Sequence, residues 1–429
     1  MTGLLNRRQF TSLLSDAMAA ARPLSVLLLD LDGFKEVNDT HGHLVGDTLL
    51  QAIGVRLPYM LSETAHVARI GGDEFAILLN DLNDPLEAHA QAQAIQEGFQ
   101  KPFELGGQVL EIGTSIGIAL APAHGQEADE LIASADFALY RAKADGGHGV
   151  RLYDPTMRSE TSARRALRDE LLQALRQGEL ELFFQPQVHL LTRRITGVEG
   201  LLRWHHPRRG LLSPAAFLPA LDQSALALEI GWWTLHEAAK RASELQRKGH
   251  TIRVGVNLFP GQLRAPNLIY KVANALQRHS LRPELLELEV TETIALADND
   301  RSYEAMKAVR ELGVGIAFDD FGTGYASLSS LQRYPITTLK IDRGFLAHID
   351  SRTSDAAITR ALIGLGHDMG LETIAEGIES KEQEMSLVGL GCPCGQGYLY
   401  GKPMPFQSFL DQLELKSSAM FKDQQLLAG

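Results

Sequence analysis

Five oxygen-bearing side chains, Glu199, Asn257, Glu289, Asp319 and Asp320, fall at or just past the ends of successive apolar segments. A lone acid in such a place is ordinarily solvated or caps a helix. Repetition over several segments points instead to convergence. Hard oxygen donors select magnesium or manganese over zinc, and the adjacent Asp319-Asp320 pair suits bridging or dividing between two ions. Asn257, flanked by Val256 and Leu258, is a residue that strands disfavour and that needs a polar partner.

The segments that must position these groups read as strands at 181–188, 195–202, 252–258, 285–291, 314–318, 338–341, 371–375 and 396–400, alternating with longer helical stretches. Eight such units predict an α/β barrel, whose chemistry gathers at the C-terminal ends of its strands. The first part of the chain is a different α/β fold. It has apolar strands at 25–31 and 110–119 and a hairpin across 68–79 around Gly71-Gly72. Between the two lies a polar stretch, 151–178, that opens on Tyr153-Asp154-Pro155. Its residues Ala166, Leu167, Leu171, Leu172 and Leu175 recur at helical spacing over 162–177, and Gly178 stops the helix. The expected division is a first domain over 1–153, a helical linker over 154–178, a barrel over 179–412 and a tail over 413–429.

Composition bounds the function. A chain of 429 residues, 45% hydrophobic and 22% charged, supports two folded domains rather than a disordered scaffold. The formal charge of −12 argues against gripping duplex nucleic acid or an anionic membrane, while leaving room for a local phosphate site. Cys392 and Cys394, the sole cysteines, have neither disulfide-framework nor zinc-site spacing, which predicts reduced thiols and a cytoplasmic setting. No apolar run reaches the roughly 20 residues of a membrane helix, and the start is unlike a signal peptide.

Taken together the barrel motifs resemble the EAL family. Glu199-Gly200-Leu201-Leu202-Arg203-Trp204 matches the signature with Gly in place of Ala, followed in order by Val256-Asn257-Leu258, Leu288-Glu289-Val290-Thr291-Glu292, Phe318-Asp319-Asp320-Phe321-Gly322, Leu339-Lys340-Ile341-Asp342, Ala375-Glu376-Gly377 and Gly395-Gln396-Gly397-Tyr398. The resemblance implies a modified TIM-type barrel that hydrolyses cyclic di-GMP to linear pGpG with two Mg²⁺ or Mn²⁺ ions. It implies one ion on Glu199, Asn257, Glu289 and Asp319, and a second on Asp319 and Asp320 with Glu376 nearby. Two ions activate a bridging water and hold attacking and leaving oxygens in line. Lys340 would orient that water or offset charge, and Glu376 would act as base. Gln185, Arg203, Asp342 and Gln396 would contact the substrate, and Glu292 would brace the loop Phe321 to Ser327. Asp320-Phe321-Gly322 also matches a kinase triplet, but the accompanying kinase motifs are lacking.

The first domain resembles the GGDEF family of diguanylate cyclases, through Arg69-Ile70-Gly71-Gly72-Asp73-Glu74-Phe75 and Asp30-Leu31-Asp32-Gly33-Phe34-Lys35 with Asn38, Asp39 and Asp47. This implies a palm-like, antiparallel-containing sheet with flanking helices. Asp30 and Asp73 would meet over the phosphates of GTP with Mg²⁺, and Glu74 would activate the 3′-hydroxyl. Asn38 and Asp47 would read guanine, Lys35 and Lys143 would contact phosphate, and Gly71 and Gly72 would admit the ligand to the backbone. Gly146-Gly147-His148 stands where the family carries Gly-Arg-Asn, which removes a phosphate-binding arginine. Ser62-Glu63-Thr64-Ala65 stands where it carries its product-inhibition motif, so feedback there is expected to be absent. The family works as homodimers. The abrupt opening at Met1 to Arg8 suggests a preceding sensor or membrane-anchoring segment. Two alternatives to a bifunctional enzyme are a first domain that only senses GTP for the hydrolase, and a chain that is an inactive cyclic di-GMP receptor.

Overall fold

In Leu24–Asp32, odd and even positions are both apolar, as expected of a strand covered on both faces. The computed structural model describes residues 2–221, 224–296, 299–322, 328–349 and 353–415, and the chain divides into two compact units, Met1–Ala166 and Leu167–Gly429.

The first unit contains β1 (Leu5–Asn6), β2 (Leu24–Asp32), β3 (His66–Arg69), β4 (Glu74–Asn80), β5 (Phe103–Leu105), β6 (Gln108–Leu110), β7 (Gly113–Ala121) and β8 (Val150–Leu152). Six of them form one sheet in the order β1-β3-β4-β2-β7-β8, and β5 pairs with β6 apart from it. Leu27, Leu29 and Leu31 of β2 pack beneath the helices His43–Tyr59 and Pro85–Phe99. Leu24, Val26 and Leu28 face the opposite way, toward Phe10 and Leu14 of Arg7–Ala19 and Leu131, Ala135 and Leu139 of Ala128–Ala144. The period of two then carries Asp30 and Asp32 onto the second face. The polar stretch expected from 151 in fact begins inside the sheet, because Val150–Leu152 pairs with β7 and the Tyr153 amide donates to Ile118 O. The helix that follows runs over Pro155–Gln177, longer than its apolar spacing predicts.

The second unit contains β9 (Leu180–His189), β10 (Ile195–His206), β11 (Gly210–Leu212), β12 (Arg253–Asn257), β13 (Leu286–Thr291), β14 (Gly315–Phe321), β15 (Thr338–Ile341), β16 (Glu372–Ala375), β17 (Cys394–Gln396) and β18 (Met404–Pro405). From β10 and β12 to β17 the neighbours are parallel, and β9 closes the barrel by pairing with both β10 and β17. Strict strand and helix alternation fails at the start. Only residues 190–194 separate β9 from β10, too few for a crossover helix, so β9 runs antiparallel to its neighbours. The last barrel strand is Cys394–Gln396 rather than 396–400.

Register places inward residues in layers. Near the strand starts Arg253 Nε lies 3.1 Å from Glu287 Oε2, its NH1 lies 2.5 Å from Glu372 Oε2, and the Thr338 hydroxyl donates to Glu287 Oε2 at 2.7 Å. Glu287 is only 2% exposed, so Arg253→Met strands a buried acid. The expected cost is about 3 kcal/mol of stability, read by denaturant unfolding, with metal affinity at the opposite barrel end unchanged.

Candidate active site

Paired rungs across the barrel fix which side chains meet. Gln185 pairs with Glu199, Glu199 with Gly255, Asn257 with Glu289, Thr291 with Asp319, and Lys340 with Ile374, so these residues share the inner face. Glu199, Glu289 and Asp319 bring carboxylate oxygens within 4.8 Å of one another, as do Asp319, Asp320 and Glu376. Both triads contain Asp319.

Strand alternation alone would send Asp320 away from Asp319. It does not, because β14 carries one extra residue against β15. Phe318 pairs with Leu339 and Phe321 with Ile341, so Asp319 and Asp320 together oppose Lys340. Asp320 takes a left-handed φ of 50° to achieve this, a conformation that costs energy in a residue other than glycine.

The site fits hard divalent cations. Glu289 Oε1 is buried with no hydrogen-bond partner among the described residues, an orphan that a metal bond would satisfy. Space for it comes from Gly255, where a Cβ would sit 2.0 Å from Glu289 Oε1. Gly255→Ala is therefore expected to displace Glu289 and weaken manganese binding at least about tenfold while the circular dichroism spectrum is kept. The measurement is calorimetric titration.

Lys340, 1% exposed, lies 2.6 Å from Glu289 Oε2, 2.8 Å from Glu376 Oε1, 2.9 Å from Asp319 Oδ1 and 3.4 Å from Glu199 Oε2. Burial opposes its charge, but Asp319, Glu199, Glu289 and Glu376 outweigh burial and hold its pKa well above the ordinary value. Burial, with Glu199 and Asp319 adding to it, drives Glu289 well above the carboxylate range against the pull of Lys340. Burial likewise lifts Glu376 to about 8 despite Lys340. Partial desolvation, then the charges of Asp319 and Asp342, raise Asp320 to about 6.

Glu199 is oriented from both sides. Its Oε1 accepts from Asn257 Nδ2 at 2.9 Å, and its Oε2 accepts from Gln396 Nε2 at 2.6 Å. The partner that Asn257 needs is thus a catalytic-end carboxylate. Gln396 Nε2 also donates to Gln185 Oε1 at 3.2 Å, and Gln187 Nε2 donates to Gln396 Oε1 at 3.0 Å. Gln187 carries no motif of its own in the sequence, although it lies two residues from Gln185 and therefore on the same face.

Other expected residues lie on or just past β10, β13 and β15. The Arg203 guanidinium donates to Leu202 O at 2.8 Å and lies 5.7 Å from the Phe183 ring centroid. Asp342 accepts from the Gly344 amide at 2.8 Å and is close enough to raise Asp320. Glu292 is 3% exposed, and burial raises its pKa. Of the loop it was expected to brace, Phe321 and Gly322 are described, whereas 323–327 lie outside the described residues.

In the first unit Asp30 is in register with Glu74, and Lys143 Nζ lies 2.6 Å from Asp30 Oδ2. Burial raises Asp30; Lys143 opposes this, and Asp73 and Glu74 add to it. The glycine hairpin is clamped by Arg69, whose Nε and NH2 donate to Gly72 O at 3.0 and 2.6 Å. Gly71 is close-packed, since a Cβ there would lie 2.6 Å from Glu74 Oε2. Lys35 and Asp47 are exposed, and Asn38 lies against Gly46, where a Cβ would come within 2.0 Å of its Oδ1. The turn that lacks the arginine is held by Asp32, which accepts from the His148 amide at 2.9 Å and from the Ser115 hydroxyl at 2.7 Å. Among the described residues, both acidic triads lie in the barrel.

The class defined by this geometry is a barrel with an acidic, metal-competent mouth, preceded by an α/β sheet unit with a glycine hairpin. Residues 168–403 match the EAL domain family and residues 1–148 the family described as diguanylate cyclase, GGDEF domain; the chain belongs to the EAL family and carries a GGDEF domain before it. It is 40% identical over 415 residues to a Pseudomonas aeruginosa protein named bifunctional diguanylate cyclase/cyclic di-GMP phosphodiesterase MucR, covering 96% of this chain and 60% of that protein. It is 35% identical to the cyclic di-GMP phosphodiesterase NbdA of the same organism, covering 94% of this chain and 52% of the relative. The chain thus spans a little over half the length of these two relatives. Among solved structures, the MucR phosphodiesterase in complex with c-di-GMP superposes with a TM-score of 0.55 at 43% identity, over 57% of this chain and 99% of that one. The EAL enzyme Bd1971 in its cAMP- and cyclic-di-GMP-bound form gives 0.57 at 30% identity, over 71% and 82%.

Proposed function

We propose that the second unit hydrolyses cyclic di-GMP to linear pGpG. The observation that carries this reading is the pair of carboxylate triads sharing Asp319 at the C-terminal end of the barrel. In this assignment Glu199, Asn257, Glu289 and Asp319 hold one ion, and Asp319 and Asp320 share the other with Glu376 nearby, magnesium or manganese by donor chemistry. When bound, two such ions lower the pKa of a shared water and stabilise the charge developing on the phosphate. Glu376, whose carboxylate lies within reach of Asp319 and Asp320, takes up the proton released by the attacking water in this reading. Gln185, Arg203, Asp342 and Gln396 orient the dinucleotide, and Glu292 has a bracing rather than a metal-holding role. The chain acts in the cytoplasm as a homodimer in this reading, with the domains divided at 1–153, 154–178 and 179–412 and a tail over 413–429.

The first unit binds GTP with magnesium through Asp30 and Asp73, with Glu74, Lys35, Lys143, Asn38, Asp47, Gly71 and Gly72 in the roles set out above. A second reading, that it senses GTP for the hydrolase without cyclising it, is favoured by Gly147 in place of the arginine. Incubation with GTP and magnesium separates the two. Linear or cyclic dinucleotide product supports a cyclase. GTP binding that changes pGpG production, with no GTP consumed, supports the sensor.

A further inference from the structure

The proposed metal site already contains a cation. Lys340 projects from β15 into the acidic mouth, and among the described residues it supplies the ion-pair contacts of Glu199, Glu289, Asp319 and Glu376. The oxygens it touches belong to both triads, since Glu199, Glu289 and Asp319 form one and Asp319 and Glu376 contribute to the other. An ammonium has three protons. Four carboxylates surround this one, so at least one contact is charge attraction without its own hydrogen bond.

We propose that Lys340 is a resident counter-ion that competes with divalent cations for these carboxylates, holding the mouth together before metal loads and setting how tightly the metal binds. The proposal rests on the two-ion reading above. A divalent ion needs carboxylate oxygens at about 2.0–2.6 Å, and the ammonium draws the same oxygens toward a different centre. Without any cation the carboxylates would repel one another across a buried space. Lys340 therefore has a role before chemistry, distinct from orienting water or neutralising the transition state.

The geometry also explains why the lysine is embedded rather than at the rim. Lys340 lies opposite the Asp319-Asp320 bulge, so its ammonium reaches the carboxylate shared by the triads. A surface lysine could be displaced without disturbing the site; this one is 1% exposed. Loading metal must weaken or rearrange its contacts.

The test is metal binding to the full chain, compared with a Lys340→Met variant of similar volume. Manganese affinity is measured by calorimetry, and unfolding is followed with chelator and with manganese. The expected result is affinity raised at least about tenfold, because a competing positive charge within 3.4 Å of four carboxylates at the site has been removed, together with a lower melting temperature in chelator that manganese restores. Unchanged or weaker affinity in a folded variant overturns the proposal. If Lys340→Met does not fold with or without metal, wild-type chain labelled with lysine ¹⁵Nζ decides. Magnesium should shift the buried ammonium resonance and speed its proton exchange. An unmoved resonance, while barrel amides show that magnesium binds, overturns it. A wild-type chain that binds neither ion overturns the two-ion reading and this proposal with it.

Discussion

Asp319→Asn is expected to lower the proposed hydrolysis of cyclic di-GMP by more than about 10³-fold, equivalent to at least about 4 kcal/mol of transition-state stabilisation, while leaving the fold in place. Asp319 is the appropriate target because it alone belongs to both triads. The substitution keeps the side chain's size and removes the charge on which both ions would depend. The barrel is stabilised elsewhere, by Phe318 and Leu339 in its core and by the Arg253, Glu287 and Glu372 layer near the strand starts. Chromatography of product and a thermal melt of the same preparation check the two halves of the prediction. Near-normal pGpG formation would remove Asp319 from the site. Loss of activity accompanied by unfolding would show that the assumed separation of stability and chemistry is wrong.

The second large effect is on stability against pH. In the metal-free protein Glu376 is raised from 4.5 to about 8 and Asp320 from 3.8 to about 6. Both groups bind protons more tightly folded than unfolded. Their contribution to stability is present below the ordinary carboxylate range and is lost as pH rises through about 6 for Asp320 and about 8 for Glu376. Manganese needs these groups deprotonated, so its binding releases protons and strengthens as pH rises. The stabilisation by saturating manganese should be larger at about pH 8.5 than at about pH 6, reaching about 2.7 kcal/mol when the free ion is at 100 times its Kd. Denaturant unfolding at the two pH values, with and without manganese, measures it. Equal stabilisation at both would show that protons and metal do not compete for these carboxylates.

The barrel was legible because its strands are apolar runs and its acids recur at their ends, a pattern that survives without knowing any contact. Glu199, Asn257, Glu289, Asp319 and Asp320 all emerge from that pattern. Its details were not legible, for physical reasons. Nothing in Phe318-Asp319-Asp320-Phe321 announces a bulge, yet the extra residue is what turns Asp320 back toward Asp319. The antiparallel β9 depends on how few residues separate it from β10, a length that apolar periodicity does not weigh. Gln187 is not legible because a lone glutamine in a strand has no chemical signature; its meaning comes from Gln396 across the β9 and β17 pairing. The short β1, β5 and β8 carry too few residues to establish a period, and they exist because neighbouring strands offer them partners. In the first domain the glycine hairpin and the Asp30 strand could be read, whereas the Lys143 to Asp30 contact required the helix Ala128–Ala144 to be packed on the sheet.

The most direct test of the central claim is incubation of the purified chain with cyclic di-GMP and magnesium or manganese, with and without GTP, followed by chromatographic separation of the nucleotides. Metal-dependent conversion to pGpG that chelator abolishes is the expected result. Binding of cyclic di-GMP without turnover in either metal would contradict it and would mark the barrel as a receptor.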